Sequence, residues 1–232
     1  MKNKRIPWAR VAAEFIAILA GVTLAFLADD WREFRWERVD ERLALQELLA
    51  DLEADSLRLS AQLQSHRQVD AAVLWALGHI EHELPPDTVL SRLRPLFYYT
   101  SYVPVSPAYR GLRDSGKLPI IRNATLRREV VEYYEVTQPN MKSFFDRYLV
   151  GYDKFKETTA PYIRLIPDSG AVTFRGSFRS EMVRPWREMR EDHDFLYRTE
   201  NLGGIVSTFA LRIEPALTRN SEIRRHIREV LE

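Results

Sequence analysis

The sequence predicts an all-α protein in which an N-terminal transmembrane helix continues into a long stalk helix and then an antiparallel helical bundle. Residues 11–31 are almost entirely apolar, and the charged segment that follows contains neither glycine nor proline up to residue 77. Farther along, apolar residues recur at helical spacing. The predicted units are a short basic tail (1–10), the transmembrane helix (11–31), the stalk or first bundle helix (32–84) and the helical bundle (85–232).

The membrane helix is predicted from length and from its flanking residues. Trp8 and Trp31 bracket the apolar stretch, and a helix would hold them roughly 34 Å apart, a spacing that suits indoles at the two membrane interfaces. Glu14 lies one turn from Arg10, so the two side chains can pair near the bilayer edge. A cleavable signal peptide and a buried core helix are the alternatives. The first would need small residues around a cleavage site, and the second usually keeps a polar stripe.

The same stretch predicts partners and an orientation. Ala13, Ala17, Gly21 and Ala25 recur every fourth residue, and such a small-residue face lets two helices approach closely. We therefore expect the lipid bilayer, and a protein partner or a homodimer formed through the membrane helix and stalk, as binding partners. The basic, acid-free tail favours a cytoplasmic N-terminus and a C-terminal domain outside the inner membrane.

The stalk carries a heptad pattern that predicts its buried side. The pattern alternates steps of four and three through Leu45, Leu49, Leu52, Ser56, Leu59 and Leu63. We expect this seam to pack against later helices of the same chain. Asp51 and Asp55 are assigned to a charged helix face, with i,i+4 contacts to arginines.

Proline, glycine and capping residues place the elements of the body. Pro85-Pro86 ends the stalk, and a short helix begins near Pro107 and stops at Gly116. Asn123 or Thr125 caps the next helix, and Pro139 opens an amphipathic one with a broad aromatic stripe. A hairpin or ordered loop is predicted over 167–178, then a helix over 180–192 with a break at Pro185, a helix through 202–217, and a separate capped helix over 221–232. The aromatic stripe of the amphipathic helix comprises Met141, Phe144, Phe145, Tyr148, Leu149, Tyr152 and Phe155.

Composition excludes several classes of function. The net charge of +1 argues against a nucleic-acid binder, which normally carries a strong basic excess. The chain has no cysteine, which excludes disulfides, thiolate chemistry and cysteine-ligated zinc or iron–sulfur centres.

No motif supplies a catalytic, cofactor-binding or metal-binding site. Residues 111–118 approach a phosphate-binding P-loop, but Leu118 stands where that loop needs Ser or Thr to bind magnesium. His79 and His82 stand at i,i+3, but no Glu-x-x-His motif accompanies them, and a zinc site would need a third ligand from elsewhere. We therefore predict that the protein is not an enzyme and has no cofactor.

Two patterns resemble a known family. The first is Glu14 before the apolar stretch and Asp29, Asp30 and Trp31 after it. The second is SPAYRGLRDSGKLPIIRNATLRREVVEYYE, residues 106–135, which includes Tyr109, Gly116, Asn123, Arg127, Tyr133 and Tyr134. Together they resemble an uncharacterised bacterial family of membrane-anchored proteins, the domain-of-unknown-function family six-zero-nine-zero. The family more commonly has Asn-Asn-Trp where this chain has Asp-Asp-Trp. The resemblance implies a single-pass helical protein and carries no known activity.

The function expected from the sequence is that of an interaction or scaffolding protein. The alternative is a ligand-sensing bundle that binds a small molecule between helices near the aromatic stripe and signals through a membrane partner. A buried polar group facing an open cavity among Tyr133, Tyr148 and Tyr152 would favour sensing, whereas a filled core would favour scaffolding.

Overall fold

The computed structural model describes residues 8–97, 102–167 and 178–232, and before residue 35 it describes side chains only at 19, 21–24, 31 and 32. The described chain is mostly helical with one two-stranded hairpin, which confirms the predicted helical class. The helices are α1 (Trp8–Gly78), α2 (Pro86–Leu93), α3 (Pro107–Asp114), α4 (Ala124–Glu132), α5 (Gln138–Thr159), α6 (Trp186–Arg190) and α7 (His193–Leu231). The antiparallel strands are β1 (Ile163–Pro167) and β2 (Phe178–Met182).

Three long helices, α1, α5 and α7, form the bundle. Helix α7 runs antiparallel to α1, because Arg42 contacts the carbonyl of Leu231 whereas Arg67 pairs with Glu214. Helix α5 packs along the first half of α7, where Gly151 lies against Ile205. Two apolar clusters fill the interior. One lies among α1, α2, α5, α6 and α7, and the other joins α1 to α3, α4 and the end of α7.

The buried side of α1 differs from the predicted seam. Leu45, Leu52 and Leu59 are buried as predicted, but Leu49, Ser56 and Leu63 are only partly buried. The buried positions between and after these leucines are Leu48, Asp55 and Gln62. Two of these three residues are polar. Hydrophobicity alone favours Leu49 and Leu63 as core residues. The wrong positions were therefore predicted to face the core, because the correct ones include two polar residues.

Local capping chemistry sets the helix ends around α3 and α4. Gly116 adopts φ of 70°, and the amides of Gly116 and Lys117 donate to the carbonyls of Arg113 and Leu112, which is the Schellman pattern that ends a helix. Asn123 Oδ1 accepts hydrogen bonds from the amides of Thr125 and Leu126 at 3.0 and 3.1 Å. The predicted stop at Gly116 and cap at Asn123 are both confirmed.

Two predictions for the C-terminal part are wrong. Residues 180–182 belong to β2, so the helix predicted there is confined to α6 after Pro185. Helix α7 is continuous to Leu231 and has no break before residue 221. It continues through Pro215, an exposed residue that has no N–H to donate to the carbonyl of Leu211. Of the hairpin or loop predicted over 167–178, residues 168–177 lie outside the described part of the chain, and strands β1 and β2 pair on either side of them.

A π-helical turn, Tyr133–Thr137, joins α4 to α5. Pro139 follows within two residues and has no N–H to donate to the carbonyl of Glu135, so the helical hydrogen bonding must change here. The turn accompanies burial of two consecutive residues, because Tyr133 and Tyr134 are 0% and 5% exposed. Burial of both tyrosines is what brings this junction against α1.

The predicted membrane anchor and inner-membrane localisation require correction. Within the part of the chain that the structure describes, no helix combines the length and apolarity needed to cross a bilayer. This finding contradicts the predicted transmembrane helix, its cytoplasmic N-terminus and the placement of the body outside the membrane. The physical reason is length. The uninterrupted apolar run covers only residues 15–28, about 21 Å of helix against roughly 30 Å of hydrocarbon, and Glu14 and Asp29 bound it.

Candidate functional site

The residues of the family-like segment converge on one face of α1. Tyr109 and Tyr134 stack with ring centroids 4.5 Å apart and planes within 9° of parallel. The Tyr133 ring meets Tyr134 edge to face at 5.4 Å, an arrangement that aromatic quadrupoles favour. The Tyr109 hydroxyl donates to Glu135 Oε1 at 2.8 Å. The segment thus brings three tyrosines from α3 and the α4–α5 junction into one cluster.

The other motif residues shape the backbone around this cluster. Gly116 and Asn123 end α3 and begin α4, and Arg127 Nη1 donates to the carbonyl of Ile121 at 2.7 Å. That bond ties the second turn of α4 to the chain that precedes it. The sequence motif therefore corresponds to a structural unit, residues 107–137, which packs against α1.

Asp55 is the polar centre of the contact between this unit and α1. Its carboxylate is fully buried and accepts hydrogen bonds from the Tyr133 hydroxyl at 2.6 Å and from the Tyr102 hydroxyl at 3.1 Å. The amide of Val105 donates to Oδ1 at 3.1 Å. Asn220 on α7 donates to the Tyr133 oxygen at 3.1 Å and to the carbonyl of Leu52 at 2.9 Å. One carboxylate on α1 thereby links α7, the α4–α5 junction and the chain before α3.

Two further carboxylates of α1 hold the same unit. Asp51 Oδ2 accepts from the amide of Ala108 at 2.8 Å, and Glu41 Oε1 accepts from the amide of Arg122 at 2.8 Å. Burial raises the pKa of Asp51, although the hydrogen bond from Ala108 opposes that shift. Acids at 41, 51 and 55 therefore anchor both ends of the segment to α1.

The surroundings of Tyr102, Tyr109 and Tyr133 keep these side chains protonated. Burial and then the neighbouring Asp55 carboxylate raise the pKa of both Tyr102 and Tyr133. Burial and the hydrogen bond to Glu135 raise the pKa of Tyr109 to about 12. The hydroxyls of Tyr102 and Tyr133 already donate hydrogen bonds to Asp55. The pKa of Tyr102, Tyr109 and Tyr133 is in each case raised, away from the neutral range that a general base requires. The cluster is suited to fixing helices and not to proton transfer.

Asp55 and Asp51 do not lie on a charged helix face with arginine contacts, as predicted. Asp55 is 0% exposed and accepts from Tyr133, and Asp51 accepts from the amide of Ala108. The sequence does contain a signal that Asp55 lies on the buried face of α1. Asp55 stands three residues after Leu52 and four before Leu59, which are core positions of the same helix face.

The structure places His79 and His82 beside Trp75 at the end of α1, and the P-loop-like segment at the end of α3. His79 stacks on Trp75 at 4.8 Å, and its Nδ1 lies 2.7 Å from the carbonyl of Trp75. His82 is next to it, with ring centroids 5.5 Å apart. Over residues 8–97, 102–167 and 178–232, no three His, Asp or Glu side chains gather into a possible metal site. Residues 111–118 form the end of α3 and the turn at Gly116, not a strand followed by a phosphate-binding loop.

The side chains that the structure describes in the first part of α1 are exposed. Farther along the helix, Glu37 Oε2 accepts a hydrogen bond from Arg122 Nη2 at 2.7 Å. Trp31 and Trp36 are 61% and 65% exposed, and the guanidinium of Arg35 lies 4.9 Å from the Trp31 ring centroid. Gly21 is exposed, and a Cβ added there would meet nothing within 4 Å. The side chains of the other predicted anchor and helix-contact residues lie outside the description: Trp8, Arg10, Ala13, Glu14, Ala17 and Ala25.

A groove lies between α5 and α7, at the edge of the aromatic stripe. Most of the stripe is core, since Phe145, Tyr148, Tyr152 and Phe155 are at most 2% exposed. Phe144 is only partly buried and forms one wall of the groove. Other lining residues are Arg147, Asn201, Gly204, Ile205 and Thr208.

Comparison with known proteins adds no relative: no protein-family model, curated protein or solved structure matches the chain. The resemblance to the uncharacterised bacterial family stays a prediction.

Proposed function

We propose that this protein is a helical interaction module that associates with a second copy through the exposed face of α1 at residues 36–43. The observation that carries the proposal is a stripe of exposed apolar side chains on this part of the helix. Trp36, Val39 and Leu43 are 65%, 49% and 54% exposed, and their steps of three and four place them on one face. We call these three residues the stem face.

The composition of the stem face supports a protein partner. Tryptophan is enriched at interfaces and among the residues that dominate binding energy. A stripe of large apolar side chains on a highly charged helix is costly to leave in water, since each full burial of such a side chain is worth about 1.5–3 kcal/mol. Charged residues of both signs, including Arg35, Glu37 and Asp40, border the stem face and could set register at its rim.

The spacing supports a second copy as that partner. Trp36, Leu43, Ala50 and Leu57 are all exposed and lie seven residues apart. A seven-residue period places equivalent residues opposite each other when two identical helices run parallel. The opposite, buried side of α1 keeps the same period through Leu45, Leu52 and Leu59, so one helix can serve both contacts.

The filled core supports scaffolding over sensing at the tyrosines. Tyr133, Tyr148 and Tyr152 are 0%, 2% and 1% exposed, and Tyr133 is occupied by Asp55 and Asn220. The α5–α7 groove lies outside this core and does not depend on the stem face.

Light scattering of the full-length chain after size-exclusion chromatography tests the proposal. We expect twice the mass of one chain for the natural sequence. The double variant Trp36→Glu/Leu43→Glu places two carboxylates in the contact, and we expect dimerisation to weaken by at least about 30-fold, which corresponds to about 2 kcal/mol.

The matched control is Leu74→Glu on the same helix. Leu74 is 64% exposed but lies near the other end of α1, away from the stem face. The control should keep the dimer mass. A monomeric natural chain over the accessible concentrations, or equal dimerisation of the double variant and the natural chain, would contradict the proposal.

A further inference from the structure

The groove between α5 and α7 has the size and the mixed lining of a small-molecule site. Its volume of about 420 Å³ falls within the range of roughly 300–1,000 Å³ typical of ligand pockets. Phe144 and Ile205 supply apolar surface, whereas Asn201 and Thr208 supply an amide and a hydroxyl. Such a combination suits a ligand with one apolar part and a few polar atoms.

Two arginines give the groove a positive character. The guanidinium carbons of Arg147 and Arg212 lie 5.6 and 5.0 Å from the centroid of the Phe144 ring. In the described part of the chain, neither guanidinium has a carboxylate within ion-pair distance, and the groove lining contains no acid. The nearest acids in sequence are engaged elsewhere, because Asp146 pairs with Lys142 and Glu214 pairs with Arg67. Guanidinium groups over an aromatic ring remain able to bind a carboxylate or phosphate through the N–H donors in the guanidinium plane.

Gly204 provides a second and independent indication. A glycine inside a helix costs about 1 kcal/mol relative to alanine, so its presence needs a reason. Packing supplies one at Gly203, where a Cβ would lie 2.8 Å from Val73 Cγ1, and at Gly151, where it would lie 2.7 Å from Ile205 Cδ1. At Gly204 a Cβ would meet nothing within 4 Å, although the residue is in the middle of α7 and lines the groove. Packing does not require this glycine, and its lack of a side chain leaves the backbone exposed on the wall of the groove.

We propose that the α5–α7 groove binds a small organic anion with a planar apolar portion. The anionic group contacts Arg147 and Arg212, and the planar portion lies over the bare backbone at Gly204 against Phe144 and Ile205. This assignment follows from the charge and shape of the lining and is independent of the stem face.

Isothermal titration calorimetry on the full-length chain tests the assignment, with 3-phenylpropionate as the probe and 3-phenylpropionamide as its neutral control. We expect saturable binding of the acid and binding of the amide that is at least about fivefold weaker. Arg147→Gln and Arg212→Gln should each weaken binding of the acid about fivefold, because each removes one charged donor. Arg187→Gln, an exposed arginine on α6 paired with Glu191, is the matched control and should change nothing.

Gly204→Leu separates the ligand site from folding. Leucine is a better helix former than glycine and has open space here, so we expect Tm to stay the same or rise by about 2–4 °C. The added side chain fills the groove, and binding of 3-phenylpropionate should be lost. The proposal is overturned if the acid shows no saturable binding up to roughly 10 mM, if the amide binds equally well, or if Gly204→Leu leaves binding intact.

Discussion

Replacing Asp55 with asparagine should destabilise the protein strongly, although the two side chains have nearly the same shape. The carboxylate accepts hydrogen bonds from three donors, and the amide can keep only those made to one oxygen. Tyr102 and Val105 both donate to Oδ1, so an amide oxygen at that position keeps both, and the 2.6 Å bond from Tyr133 to Oδ2 is lost. The Tyr133 hydroxyl would then face two amide donors, since Asn220 already donates to it. A buried donor without an acceptor costs about 1–3 kcal/mol, and weakening of the charge-assisted bonds adds to that cost, so we expect a loss of about 2–3 kcal/mol.

Urea unfolding of the full-length chain followed by circular dichroism measures this loss. Glu53→Gln is the control, because Glu53 lies on the same helix in a half-exposed ion pair with Arg228 and should cost at most about 1 kcal/mol. Tyr133→Phe should destabilise the natural chain but cost much less in the Asp55→Asn background, since the two residues share one bond. Equal effects of Asp55→Asn and Glu53→Gln would refute the role given to this carboxylate.

Three further predictions concern local features of the fold. Asn123→Ala removes the acceptor for the Thr125 and Leu126 amides and should cost about 1 kcal/mol in urea unfolding, whereas Asn123→Asp should retain most of the stability. Gly116→Ala forces alanine to φ of 70° and should cost about 1–2 kcal/mol, measured by the same transition. Burial lowers the pKa of His66, so the unfolded chain takes up that proton first as pH falls. Stability should therefore decrease from about pH 6.5 downward, and His66→Phe should reduce that decrease in thermal melts at pH 5 to 8.

The sequence predicted the features that depend on neighbouring residues. Gly116 ends α3 because the left-handed conformation suits glycine, and Asn123 begins α4 because its side chain reaches amides two and three residues away. The aromatic stripe predicted the buried side of α5 for the same reason, since helical spacing alone places Phe145, Tyr148 and Tyr152 together.

The features that sequence reasoning missed depend on distant residues. Asp55 is stable in the core because Tyr102 and Tyr133, which lie 47 and 78 positions away, donate to it. His66 is similarly placed between Tyr148 and Phe209, with centroid distances of 4.8 and 4.5 Å. A pattern among neighbouring residues in the sequence does not indicate partners that lie so far away along the chain. The transmembrane helix was predicted wrongly for a different reason. The composition of the apolar stretch before Asp29 is typical of a membrane span, but its uninterrupted length is short.

The most direct test of association through the stem face uses the absence of cysteine from the chain. A single cysteine at Val39 would face its equivalent across a parallel, in-register contact, and oxidation should convert most of the protein into a disulfide-linked dimer. A cysteine at Leu74, which is more exposed than Val39 but lies outside the stem face, should remain mostly unlinked under the same conditions. If two copies associate through the stem face, we expect efficient linkage at Val39 alone. No linkage at Val39, or equal linkage at both positions, would contradict it.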